Sequence, residues 1–207
     1  MRRTKAEAEE TRQAIMAAAL RTFEERGISG TTLEHIALAA GVTRGAIYHH
    51  FVDKRAVLAA IREAVSLPLV DRADFTLLSD RSGDPLNRIE RFMLDLFRAI
   101  EEDATMRRAF AVMSFKCEYV GELEAELDEY VRKIERTRNQ LTDVYADAKA
   151  HGDLRGCLSP ELAALETTVF LAGLMRLCLL DDRRVGARQH APELIHAHVT
   201  ARRAAAS

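Results

Sequence analysis

The chain has 207 residues, of which 48% are hydrophobic and 30% charged, and carries a net charge of −2. That length supports one or two compact domains with real cores, in a soluble globular protein. The charge excludes a broadly cationic coat for nucleic acid. Residues 1–60 hold nine cations against seven anions, and the rest 21 against 25, so any contact with a polyanion depends on local placement.

Runs of Ala, Leu, Glu and Arg favour helix, only four prolines interrupt them, and no stretch alternates like a strand. The expected fold is all-α, with about nine helices. After a short basic arm, Met1 to Lys5, the first helix spans 7–26. It places Ile15, Ala19 and Phe23 on one face and stops at Gly27. Thr31-Thr32-Leu33-Glu34 resembles a capping box and opens a second helix that reaches Ala40. Gly41 turns the chain, and a third helix runs from about Thr43 to Phe51. Asp53-Lys54 begins a fourth, ending near Leu67 because Pro68 follows.

Residues 68–84 read as less regular, with a loop at Ser79-Asp80-Arg81-Ser82-Gly83. Asp84-Pro85 is an N-cap and first-turn pair for a fifth helix over 85–102. A sixth covers about 104–118 and a seventh about 121–150. Ser159-Pro160 opens an eighth to Leu180, and Pro192 sits in the first turn of a ninth, to about Arg203. The last residues, Ala204 to Ser207, are expected to fray. The division is a three-helix head, residues 1–55, and a helical body, 56–207, joined by the fourth helix.

The second and third helices form a helix–turn–helix. Ala37 is small where the helices meet, and Val42, Ile47 and Phe51 anchor the turn and the third helix. Arg44, Tyr48 and His49 project from other faces of that helix. Arg44 can donate two hydrogen bonds to a guanine edge. Thr43, Tyr48 and His49 can bond phosphate oxygens, and Gly45 permits close approach to the DNA backbone. Thr31 and Thr32 mark the start of the second helix, whose free N–H groups favour a phosphate, and Lys54 does the same at the fourth. On spacing alone, an ordinary helical hairpin with a solvated face is an equal alternative.

Residues 10–58 resemble the DNA-binding head of the TetR (tetracycline repressor) family. The resemblance rests on Thr11-Arg12, Ala18-Ala19, Phe23, Gly27, Thr31-Thr32, Ile36-Ala37, Ala40-Gly41-Val42, Gly45-Ala46-Ile47-Tyr48, Phe51, Asp53-Lys54 and Leu58. Val42 to Tyr48, and Lys116 to Glu122 far along the chain, are similar to the AcrR-like branch, repressors of multidrug efflux pumps. Val57 stands where Leu is usual, and His49 where an aromatic residue is frequent. The resemblance implies that Arg44 contacts bases and that Thr31, Thr32, Thr43, Tyr48, His49 and Lys54 contact phosphates. It also implies a body that dimerises and binds a small hydrophobic effector. A regulator of a metabolic or signalling operon with a different effector is the alternative within the family.

In the body, Met93, Leu96, Phe97, Phe110, Met113, Cys117, Phe170, Leu174 and Met175 are side chains of the kind that line adaptable ligand sites. Taken one by one, each also fits plain core. Glu118 and Arg176 are polar residues in apolar surroundings, able to anchor a ligand, pair with a partner, or face solvent. Leu162, Leu165, Val169, Gly173 and Leu177 recur every three or four residues, a stripe suited to a homodimer face made by the eighth and ninth helices. Two heads then meet successive major grooves of double-stranded operator DNA about 34 Å apart, at a pseudo-palindromic site.

No catalytic function is expected. His196 and His198 are two apart and His49 and His50 adjacent, so neither pair shares a helix face. No HExxH, GxSxG, phosphate-binding loop or CxxC occurs, so no catalytic residue, metal ligand or cofactor is assigned. Cys117, Cys157 and Cys178 are sparse and odd in number, which suits a reducing cytoplasm. Leu162 to Leu180 is the most apolar stretch, but Glu166 and Arg176 within it favour a buried soluble helix over a membrane span.

Overall fold

The computed structural model describes residues 4–79, 83–119, 121–180 and 185–205. Over these the chain is all-α. Its helices are α1 (Lys5–Arg26), α2 (Leu33–Ala40), α3 (Arg44–His50), α4 (Lys54–Asp74), α5 (Pro85–Glu102), α6 (Ala104–Phe115), α7 (Glu124–His151), α8 (Pro160–Leu179) and α9 (Ala191–Thr200). A π-helical turn, Phe75–Ser79, follows α4, and a 3₁₀ turn, Gly121–Leu123, precedes α7.

Several boundaries follow from local chemistry. Asp84 accepts from Leu86 N–H at 2.8 Å and Ser159 from Leu162 N–H at 3.2 Å, each just before a proline in the first turn. Gly41 lies in the left-handed region, φ 66°, where only glycine is unstrained, and its N–H closes α2 on Leu38. α1 starts earlier than its hydrophobic spacing suggests. Thr4 and Glu7 form a reciprocal capping box, so Lys5 is helical; Met1 to Arg3 of the expected basic arm lie outside the described residues.

Three expectations are corrected. The N-cap of α2 is Thr32, paired with His35 at N3, not Thr31 with Glu34. Thr31 is 1% exposed and donates its hydroxyl to the Gly27 carbonyl at 2.7 Å, so the helix begins one residue later. α4 does not stop before Pro68. It continues to Asp74, whose carboxylate is held by Arg136 at 2.6 Å and Gln140 at 2.6 Å. Those contacts, with Leu77 1% exposed in the next turn, work against the roughly 3 kcal/mol that an interior proline costs. Of the loop expected before Gly83, residues 80–82 lie outside the described set. Finally, the tail is tied down as far as Ala204. Leu154 and Arg203 form an antiparallel bridge, and Ala204 N–H bonds Asp153 O at 2.8 Å; residues 206 and 207 are not described.

Packing divides the chain into two compact units, 1–66 with 105–127, and 67–104 with 128–207. In the first, Ile15, Ala19, Phe23, Ile28, Ile36 and Ile47 are fully buried. The unit also contains α6 and the segment after it. Ile28 N–H bonds Lys116 O at 3.2 Å, Arg108 pairs with Glu24 at 2.9 Å, and Arg62 with Glu126. This unit is therefore larger than the expected head of residues 1–55. The second unit has a core of Leu86, Ile89, Met93, Leu141, Val144, Tyr145, Ile195 and Val199 among others. There the buried Arg88 guanidinium is paired with Asp147 at 2.9 Å.

Candidate nucleic-acid interface

α3 is short, and its pose is fixed at both ends. Thr43 accepts from Ala46 N–H at 3.2 Å, and Phe51 N–H bonds Ile47 O at 2.9 Å. Ile47 is 0% exposed and Phe51 4%, so one face is committed to the unit's core. Arg44, Tyr48 and His49 lie on the exposed remainder. A Cβ added at Gly45 would meet nothing within 4 Å. The protein itself therefore does not require glycine there, which leaves the bare backbone available to a molecule approaching from outside.

The exposed face is organised. The Arg44 guanidinium carbon lies 5.7 Å from the centre of the Tyr48 ring. Glu34, on α2, is 3.5 Å from Arg44 Nε and accepts from the Tyr48 hydroxyl at 3.2 Å. Its carboxyl is held below the usual range, chiefly by its own backbone N–H, with Tyr48 and Arg44 adding. Glu34 was absent from the residues expected at this surface. Its signal is faint in sequence, since it reaches Arg44 only across the turn.

Of the expected phosphate contacts, Thr32, Thr43, Tyr48 and His49 are exposed. Thr31 is withdrawn, because its hydroxyl is buried and spent on Gly27. Lys54 is half-buried and donates to Ser29 O at 3.4 Å. The start of α4 is already capped by Asp53, which accepts from Ala56 N–H at 2.8 Å. Burial opposes ionisation of Asp53, but the Ala56 N–H and Arg55 outweigh it and hold the carboxyl low. A phosphate approaching there would face the Lys54 ammonium, not a free helix end.

This geometry has counterparts among known proteins. Residues 15–61 match the model for bacterial regulatory proteins of the tetR family. Residues 84–202 match that for the C-terminal region of MAATS-type transcriptional repressors. The chain belongs to the TetR family of bacterial transcriptional regulators. It is 35% identical over 180 residues to the HTH-type transcriptional regulator TtgR of Pseudomonas putida, covering 87% of this chain and 85% of TtgR. The crystal structure of NalD, the secondary repressor of the MexAB-OprM multidrug efflux pump in Pseudomonas aeruginosa, superposes with a TM-score of 0.84. That match has 27% identity and covers 96% of this chain and 98% of NalD. The SmeT–triclosan complex superposes with a TM-score of 0.79 at 26% identity, over 93% of this chain and 91% of SmeT.

In this TetR-family chain the nine expected effector residues do not gather within either packing unit. Phe110, Met113 and Cys117 are half-buried in the first unit; the other six are in the second. Met93 (0% exposed), Phe97 (8%) and Leu174 (5%) belong to the core of that second unit, where side-chain volume is spent on packing. Leu96, Phe170 and Met175 are half-buried at its edge. Burial first of all pushes the Cys117 thiol up, which keeps it protonated. Glu118 accepts from Ser29 at 3.3 Å, and Arg176 is exposed on α8.

The second unit also holds a buried polar chain that sequence reading missed. Tyr145 OH and Thr167 Oγ1 are 2.6 Å apart, and Thr167 Oγ1 lies 3.0 Å from His198 Nε2. Phe170 stacks on His198 at 4.0 Å between ring centres. Burial, and secondarily the Arg202 guanidinium, push the His198 pKa down to about 4. The unfolded chain takes up this proton near pH 6.5, so between these values the unfolded state binds the extra proton. Stability therefore falls as pH drops through that window. The ring is half-buried, which limits the loss to about 1–2 kcal/mol. His198→Gln is expected to shrink the difference between urea midpoints at about pH 7 and about pH 4.5. An unchanged pH dependence would refute this assignment.

Proposed function

We propose that the chain is a ligand-responsive repressor. It binds a pseudo-palindromic operator as a homodimer and is released by a small hydrophobic effector, controlling a multidrug efflux pump operon in the cytoplasm. No catalytic step enters this reading. One observation carries it: α3 turns Arg44, Tyr48 and His49 outward while Ile47 and Phe51 anchor it. Likeness along most of the chain to TtgR and NalD supports the choice of target.

Each part has a physical role. Thr32, Thr43, Tyr48, His49 and Lys54 set the register on phosphates, and Arg44 reads a base. The head of residues 1–55 reads DNA, and the rest of the chain receives the effector and dimerises. α8 supplies the dimer face, with Leu162, Leu165, Val169 and Leu177 between 42% and 65% exposed. A Cβ on Gly173 would meet nothing within 4 Å, which leaves room for a second helix. The effector acts by binding better to the state whose two heads miss the groove spacing, and its differential affinity sets the limit of the response. Leu96, Phe170 and Met175, half-buried at the edge of the second unit's core, are the side chains we assign to it.

The test starts from a duplex enriched from a random-sequence pool by the wild-type protein. Arg44→Ala is expected to weaken binding to it by about 1–3 kcal/mol while leaving binding to a scrambled duplex nearly unchanged. Triclosan and other hydrophobic drugs are then titrated against the complex in a mobility-shift assay. If no duplex is enriched, or Arg44→Ala binds as well as wild type, the operator reading fails. If none of the drugs releases the DNA, the efflux reading fails.

A further inference from the structure

An acidic side chain beside a DNA-reading face is a liability unless it has a task, because it repels every phosphate that approaches. Glu34 is 47% exposed and Arg44 75%, so their pairing contributes little to folding. Its geometry suits a different purpose. Glu34 Oε1 faces Arg44 Nε at 3.5 Å and accepts from Tyr48 OH at 3.2 Å. Arg44 is thus bracketed by a carboxylate at its Nε edge and an aromatic ring at 5.7 Å. Glu34 is paired through Nε, and the two Nη donors are a fork that matches guanine O6 and N7.

We propose that Glu34 is a specificity-determining residue, a carboxylate that positions Arg44 for a guanine edge and disfavours DNA on which that guanine is missing. On the operator, Arg44 arrives with its planar fork oriented, so less freedom is lost per hydrogen bond formed. On other sequences no base recovers the repulsion between Glu34 and the phosphates, so binding there is weakened. The same residue thereby acts on both sides of the specificity ratio, tightening one complex and loosening the other. Tyr48 takes part twice, through its ring under Arg44 and its hydroxyl on Glu34.

This inference rests on the operator-binding reading, and the experiment separates the two. The full-length wild type and Glu34→Gln are titrated, at one salt concentration, against the enriched duplex and against a scrambled duplex of equal length. Thermal midpoints are measured alongside. Glu34→Gln is expected to weaken the enriched complex on the order of tenfold, the low end of what a bidentate contact confers. It is expected to tighten the scrambled complex roughly twofold or more, as one repulsive charge is lost. The thermal midpoint is expected to stay put. If both complexes tighten, Glu34 supplies charge alone; if both weaken, it supports the fold; if neither moves, it has no role. Each of those results overturns the proposal. A wild type that enriches no duplex removes the operator reading itself.

Discussion

Val169→Asp is expected to leave the protein monomeric and to cut operator affinity by about 10²–10⁴-fold, the range in which linked binding sites exceed single ones. Val169 is 65% exposed on α8, in the middle of a stripe shared with Leu162, Leu165 and Leu177. The opposite face of the same helix is already used. Ala163, Ala164, Leu171, Leu174 and Cys178 are buried in the core of their own unit, and the buried Thr167 meets Tyr145. α8 is thus apolar on two sides, and among the described residues only one is covered. Its mean hydropathy, 1.7 over an 18-residue window, would also suit a membrane-spanning helix. Yet Glu166 is paired with Arg202 at 2.8 Å, and Thr167 Oγ1 lies 3.0 Å from His198, a polar setting that hydrocarbon would not supply. In the proposed homodimer a second copy of α8 covers the other side. Around a two-fold axis, one aspartate per protomer places two carboxylates in a desolvated interface, where neither finds a partner. Light scattering reports the mass, and a mobility shift on the enriched duplex reports affinity. A Val169→Asp variant that remains dimeric with undiminished affinity would remove α8 from the interface.

What the sequence revealed and what it withheld divide along the range of the interactions. The starts of α5 and α8 were readable because Asp84-Pro85 and Ser159-Pro160 each act within their own first turn. The helix–turn–helix was readable for the same reason: Gly41, Thr43 and Ile47 lie within a few residues of one another. The N-cap of α2 was not. Thr31 with Glu34 and Thr32 with His35 have the same spacing, and only burial of the Thr31 hydroxyl against Gly27 selects the second. Pro68 is a strong local stop that distant contacts of Asp74 with α7 override. That α6 packs in one unit with α1 depends on contacts such as Arg108 to Glu24 at 2.9 Å, far apart in sequence, which no local pattern encodes. Sequence does not sort the expected effector residues for a chemical reason: a methionine that fills a core, such as Met93, is written no differently from one that lines a pocket.

Phe23→Ala is expected to destabilise the first unit by about 3–5 kcal/mol, and with it to abolish operator binding. Phe23 is 0% exposed, and its carbonyl accepts the Gly27 N–H that ends α1 at 2.9 Å. Its ring occupies the same unit as Ile28, Ile36 and Ile47, so the void it would leave lies in the small core that holds the helix–turn–helix. Domain stabilities are about 5–15 kcal/mol, so a loss of that size leaves a substantial unfolded population near physiological temperature. Phe23→Leu retains most of the volume and is expected to cost less than about 1.5 kcal/mol. Leu38→Ala, at a side chain 84% exposed, is expected to change stability by no more than about 0.5 kcal/mol. Denaturant midpoints measured together with operator affinity then separate two ways of losing the same activity. Arg44→Ala loses recognition with the fold intact, whereas Phe23→Ala loses the fold that aims Arg44. If Phe23→Ala unfolds at the wild-type denaturant concentration, α1 does not form the floor on which the reading helix is set.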